Sequence, residues 1–310
     1  MALFCSALHS QNDSIEMKRQ VVVYSFFWNI VPDQFRFPLI GFVNVATGNY
    51  QGFQMGFVNT TLKDFKGAQM GFVNTNLQNV DGMQMGFVNM ARNKLSGFQM
   101  GFVNTALKET NGFQMGFVNT TLKEMDGFQM GFVNLARKGI KGNQIGFVNY
   151  ADTITGIPIG FVSIVKKGGY RALEVSINEF YPVNLAFKIG IPKFYSFIQS
   201  GYNSDFKNKF ALGGGFGSLF PMKNNFYFNP EISISQPLGR GNSQQFLALA
   251  GNFRYRLGAN FQIALGPSVV WEHSDKKGGL YEPIYSIINQ KIDDRNHLLI
   301  GARAALSLDL

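Results

Sequence analysis

The chain is poor in cysteine, in histidine and in charge, and each shortage removes a class of protein. Cys5 is the single cysteine, so neither a disulfide framework nor a cysteine metal site can be built. Three histidines, His9, His273 and His297, are too few and too scattered for a metal triad or a histidine-driven nucleophile. Charged residues make up 15% of the chain, against about a quarter in an average soluble protein. No run of 18 apolar residues occurs, which argues against a helical membrane span. The net charge of +9 is spread at one or two lysines per repeat instead of being clustered with aromatics, so nucleic acid is not an expected partner. Attraction to an anionic membrane surface accounts for the same charge.

Glycine, at 35, and phenylalanine, at 32, are abundant and point to tight turns and β-structure. The glycine of G-F-V-N falls at 41, 56, 71, 86, 101, 116, 131 and 146, a constant 15-residue spacing, and a last copy, GFVS at Gly160, comes one residue early. The frame reads G-x-Q-[MI]-G-F-V-N-x-[small]-x-x-x-[apolar]-x. A period this short predicts a solenoid and is too short for a helix pair. Phe53, Met55 and Phe57 alternate with Gln54, Gly56 and Val58 as in a strand, and Thr60 to Gly67 reads as a turn plus a short second strand.

If each copy is one coil, equivalent residues stack about 4.8 Å apart. Asn44, Asn59, Asn74, Asn89, Asn104, Asn119, Asn134 and Asn149 then form one amide ladder, and Gln54, Gln69, Gln84, Gln99, Gln114, Gln129 and Gln144 another. Phe57, Phe72, Phe87, Phe102, Phe117, Phe132 and Phe147 form an apolar ladder. Ordering one copy costs more than burying about five of its apolar side chains returns, so stacking must supply the difference. Leu39 in the first copy and Pro158 and Ser163 in the last stand where the ladder residues should be, which suits capping rungs. Two orientations remain open. With Phe, Met and Phe inward the core is aromatic; with them outward the solenoid carries a flat apolar stripe that needs a partner sheet or lipid. A second architecture also fits, in which each repeat is one strand and turn of a large lipid-spanning barrel.

Beyond Gly169 the period vanishes and about eight alternating strands follow, ending in LLIGARAALSLDL. There Leu298, Ile300, Ala302, Ala304, Leu306 and Leu308 share one face, and Gly301, Arg303 and Ser307 the other. This apolar-out, polar-in pattern predicts a small closed barrel with a filled lumen, in which Glu174, Lys188, Glu231, Glu272 and Arg303 form an internal charge network. A soluble antiparallel sheet is the competing reading. GGGFG at 213–217 lacks a following helix and Lys-Ser/Thr, so it reads as a glycine-rich strand, not a phosphate cradle.

The reading is therefore all-β: a β-solenoid over 20–165 and an antiparallel, eight-stranded barrel over 170–310. Residues 1–12 resemble the tail of a secretory signal whose basic start is missing, a frayed terminus being the alternative. No catalytic, cofactor-binding or metal residues are expected.

The repeat frame, with the junction ADTITGIPIGFVSIVKKGGYRALEVSINEFYPVNLAFKIGIPKFYSFI, resembles the surface-repeat family of spirochaete and Bacteroidetes-type cell-envelope proteins over about residues 40 to 205. The near-uniform phenylalanine at the Phe57 position departs from that pattern. The resemblance implies an exported, outer-membrane or cell-surface protein and supplies no catalytic residues. The expected function is non-enzymatic: a rigid repeat scaffold for interaction, with outer-membrane lipid and an unidentified protein or glycan as partners. The alternative is an outer-membrane pore or transporter whose repeats are strands of one larger barrel, and third comes a soluble ligand-binding solenoid.

Overall fold

The computed structural model describes residues 22–239, 244–275 and 279–310. The signal-like segment 1–12 lies outside them. Among the described residues every regular element is a strand, and the chain divides into two compact units, one ending at Gly156 and one beginning at Ile157. The sequence boundary at 165 thus shifts: the last copy, Pro158 to Val165, groups with the C-terminal unit, where the Ser196 hydroxyl donates to the Phe161 carbonyl at 2.6 Å.

The repeats form a parallel β-solenoid of about nine turns and do not contribute strands to a larger barrel, so that alternative is overturned. Up to Asn149 stacking keeps the 15-residue period, with Gly112 opposite Gly97, Gln114 opposite Gln99 and Asn119 opposite Asn104, and it then shortens by one residue, Ile140 bridging Ile154. In the middle coils a single 12-residue strand, such as Phe65–Asn76, runs through what reads in sequence as two shorter ones. Only three residues, for instance 62–64, turn the chain into the next coil.

Each strand is bent. Gln54 faces in, Met55 out and Phe57 out, but Asn59 and Thr61 face in, so the alternation changes phase between 57 and 59. Glycine is required inside this bend: a Cβ on Gly71 would lie 2.1 Å from the Gly56 carbonyl oxygen and 2.6 Å from Asn59 Nδ2. At Gly67 the requirement is twofold, since φ is +134° and a Cβ would lie 2.0 Å from the Gly52 oxygen.

Four columns fill the solenoid interior. Two are the glutamine and asparagine ladders, with every member within 1% of full burial. The third is the small position (Ala46, Thr61, Asn76, Ala91, Ala106) and the fourth the apolar one (Tyr50, Phe65, Val80, Leu95), so large residues meet small ones across the coil. Burial pushes the Tyr50 hydroxyl up to about 12, and it donates to the carbonyls of Phe37 and Phe53 at 2.9 and 3.0 Å.

The C-terminal unit is a closed antiparallel barrel. Its strands are β1 Tyr170–Ile177, β2 Val183–Ile191, β3 Phe194–Tyr202, β4 Phe210–Gly217, β5 Phe226–Pro237, β6 Gln244–Arg256, β7 Phe261–Ser274 and β8 Asn296–Asp309. Neighbours pair in order, and β1 closes on β8 with Leu173 opposite Leu308 and Val175 opposite Leu306. The two-residue alternation is clearest in β7, where Gln262, Ala264, Ser268, Val270 and Glu272 are buried while Phe261, Ile263, Leu265 and Trp271 are exposed.

Candidate functional site

The structure settles the orientation of the repeat: amides in, phenylalanines out. Gln69 Nε2 donates to Gln54 Oε1 at 2.6 Å, and the bond recurs at 2.7–2.8 Å up to Gln144 on Gln129. The asparagines run the other way, each Nδ2 donating to Oδ1 of the following coil at 2.7–2.9 Å. The second asparagine hydrogen goes to the carbonyl of the residue 11 further on, Met55 for Asn44 and Met70 for Asn59, at 2.8–2.9 Å. Both donors are thus used, which is what burial of a primary amide demands.

The glutamine ladder ends at Gln54 and Gln144, as the sequence predicts. Gln54 Nε2 faces the copy with Leu39, Gln144 Oε1 is the last acceptor of the ladder, and both atoms lack a partner among the described residues. One rung escaped the sequence reading. Asn29 lies 15 residues before Asn44 and donates to it at 2.7 Å, within Trp28–Val31, which pairs in parallel with Val43–Ala46. The segment SFFWN lacks the glycine of the frame, and only the spacing of its asparagine marks it. Val23–Tyr24 then pairs antiparallel on that rung and ends the parallel stack.

On the outside, the rings from Phe42 through Phe147 stack in one row at 4.9–5.1 Å with planes within 3° of each other. Phe57 and its copies stay about 45% exposed, and Met55, Met100 and Met130 are exposed beside them. This is a contiguous apolar face of the kind that marks an interaction surface.

In the barrel, four of the five charges expected inside come together. Lys188 Nζ donates to Glu174 Oε2 at 2.6 Å and to Glu231 Oε1 at 2.5 Å; Arg303 bonds Glu231 Oε2 at 2.9 Å and also Glu174 Oε1. Glu272 does not join them. It lies near the far end of β7, accepting from the Tyr281 backbone N–H at 2.7 Å and facing His297 Nδ1 at 3.2 Å. The alternation was right about its face, but a strand of 14 residues is long enough to put two inward carboxylates beyond each other's reach.

Arg254 was missed. Its guanidinium bonds Glu174, Asn229 Oδ1 and Ser307 Oγ, and its side chain is fully buried. In NFRYR, Asn252, Arg254 and Arg256 alternate with Phe253 and Tyr255, so the rule that found Arg303 would have found it. Tyr195 completes the cluster by donating to Glu231. Two carboxylates thus hold three cations, and each carboxylate accepts several charge-assisted bonds, the condition under which buried ion pairs are tolerated.

Aromatic packing fills the rest of the lumen. The 178–182 segment folds inward, with Phe180 and Tyr181 buried against Phe246, and Asn203 Nδ2 donates to the Phe180 carbonyl at 2.7 Å. Glu179 from the same segment accepts from Ser268. What space is left is a cavity of about 40 Å³ beside Glu179, Glu231 and Arg303, room for little more than water.

No described group of three or more His, Cys, Asp or Glu residues is arranged to hold a metal ion. Comparison with family models, with curated proteins and with solved structures returned no match.

Proposed function

We propose that this is a non-enzymatic cell-envelope protein, anchored in the outer membrane by its barrel and carrying the solenoid as a rigid scaffold for interaction. The observation that carries this reading is the inversion of the barrel. Leu173, Val175, Leu185, Ile198, Leu212, Ile234, Leu249, Ile263 and Leu265 are exposed on its outer face, while Glu174, Lys188, Glu231, Arg254 and Arg303 are buried inside. Water outside would leave a continuous apolar belt uncovered; hydrocarbon outside matches it. The resemblance of the repeat frame to envelope surface repeats supports the same compartment. The scaffold role rests on the solenoid's translational regularity, which fixes a row of identical side chains on a stiff axis.

Fractionation tests the reading. The full-length chain is expected in the membrane fraction, released only by detergent; recovery from the soluble periplasm without detergent would sink it. The pore reading is disfavoured by the filled lumen, and planar bilayers decide between them. A barrel closed by its charge cluster stays electrically silent, whereas reproducible unitary conductance would favour a channel.

A further inference from the structure

An even strand number brings the start of β1 and the end of β8 to one end of the barrel. That end carries the tighter connections: Pro192 and Lys193 alone join β2 to β3, and four residues, 257–260, join β6 to β7. Its third connection, 218–225, pairs back on β5 through Phe220–Pro221. The opposite end carries 178–182, 203–209, the start of the connection after Pro237 and the long connection after Ser274, whose described part, 279–295, holds an extra strand, Ile288–Lys291.

Charge divides the same way. At the β1-start end stand Lys166, Lys167, Arg171, Lys193, Lys223 and Arg256, against Asp309, which Arg256 meets at 3.4 Å. The described loops of the opposite end mix signs, with Asp205, Asp293 and Asp294 as well as Lys207, Lys209 and Arg295. Bacterial outer-membrane barrels turn their short connections to the periplasm and their long loops outward. Basic residues at a bilayer surface gain about 1 kcal/mol each from anionic headgroups.

We infer that the short-turn end, with its basic rim, sits against the anionic phospholipid headgroups of the periplasmic leaflet, and that the solenoid is therefore displayed to the periplasm and not to the cell surface. The inference rests on the membrane-barrel reading above. The chain leaves the last repeat copy at Val165 and reaches β1 at Tyr170, so the segment 166–169 is too short to carry the repeats to the other side of a bilayer.

Site-directed labelling of the full chain in a Gram-negative host tests the sidedness. In a Cys5→Ser background, Lys108→Cys reports on a solenoid turn and Ile287→Cys, at a residue 75% exposed, on the long loop. A membrane-impermeant maleimide is expected to label Ile287→Cys in intact cells and Lys108→Cys only after the outer membrane is permeabilised. Labelling of Lys108→Cys in intact cells, or protection of Ile287→Cys there, overturns the assignment while the chain still fractionates with membranes. A soluble chain instead removes the membrane reading itself. The rim has its own readout: purified protein re-supplied with equal phosphatidylglycerol and phosphatidylcholine should retain the anionic lipid several-fold in excess, and the Lys193→Glu/Lys223→Glu variant should lose that excess. Equal retention by the unaltered protein overturns the headgroup contact.

Discussion

The solenoid and the barrel both bury polar side chains and expose apolar ones, yet they bury different kinds. The solenoid interior uses neutral amides; the barrel interior uses carboxylates, ammonium and guanidinium. Register explains the difference. In a parallel in-register stack each residue's neighbour is its own copy, so an inward column of Glu or Lys would set like charges about 4.8 Å apart with no counter-charge. Only a side chain that is donor and acceptor at once can bond to itself, and Gln and Asn qualify. In the antiparallel barrel the register places unlike residues opposite one another, Glu174 against Ala186 and Ser307, Glu231 against Gly217 and Ala250. Opposite charges can then reach across from neighbouring strands. On the solenoid's outside, where water screens them, like charges do recur from coil to coil, as at Lys108, Lys123 and Lys138, and one opposite pair, Lys66 and Asp81, meets at 3.6 Å.

The sharpest way to break this comparison is to disturb register itself. Deleting Gly97 to Asn111 removes one whole repeat and should leave a folded solenoid one rung shorter, with far-UV circular dichroism and protease resistance retained. Deleting Gly97 to Thr110, one residue fewer, throws both ladders out of phase and should abolish folding of the downstream coils. If the two deletions behaved alike, register would not be what holds the stack.

Exchanging the chemistry of the two interiors comes next. Glu174→Gln removes a carboxylate facing Lys188, Arg254 and Arg303 and should cost the barrel about 3–5 kcal/mol in denaturant unfolding, the usual penalty for a buried charge left without its partner. Gln99→Glu makes the opposite exchange and should destabilise the solenoid by a similar amount at neutral pH. Its dependence on pH has a definite sign. An unpartnered buried carboxyl has a folded pKa above its ordinary value of about 4.3, so the loss accumulates as pH rises from that value through the folded pKa. Below it the protonated carboxyl can donate to Gln84 as the amide did, and stability returns. A loss independent of pH would show that packing and not charge is responsible.

The smallest effect separates a ladder residue from an amide that has no ladder. Asn76 is fully buried in the small column between Thr61 and Ala91, with neither amide atom partnered among the described residues. Asn76→Ala should raise solenoid stability by about 1 kcal/mol, since the unpaired amide is removed and alanine already fits the equivalent place in neighbouring coils. Asn74→Ala, two residues away but in the ladder, should lower stability by more than that. Thermal unfolding of the two variants side by side makes the distinction.

Much of this architecture was legible because the chain repeats itself. A constant 15-residue spacing fixes parallel, in-register stacking, and the two ladders follow from it residue by residue, as does the interruption of the glutamine ladder at Leu39 and Pro158. The barrel was legible through alternation alone, which placed Lys188, Glu231 and Arg303 inside before any geometry was known. What alternation cannot give is height along the strand. It therefore grouped Glu272 with a cluster it does not reach, and it gave no signal for Glu179, which arrives from a connecting segment.

The sequence by itself determined the period, the identity of the self-pairing residues and the number of strands that follow. Only the tertiary structure decided which way the phenylalanines point. A strand of alternating Phe, Gln, Met and Gly has two opposite faces of equal claim, and the choice depends on the bend after Gly56. Glycine there leaves room for the asparagine amide to turn inward and bond both the next coil and the carbonyl of the residue 11 further on. With Gln54 also inside, the alternation that runs up to the bend points Phe57 and its copies out, and the change of phase after them brings Asn59 in.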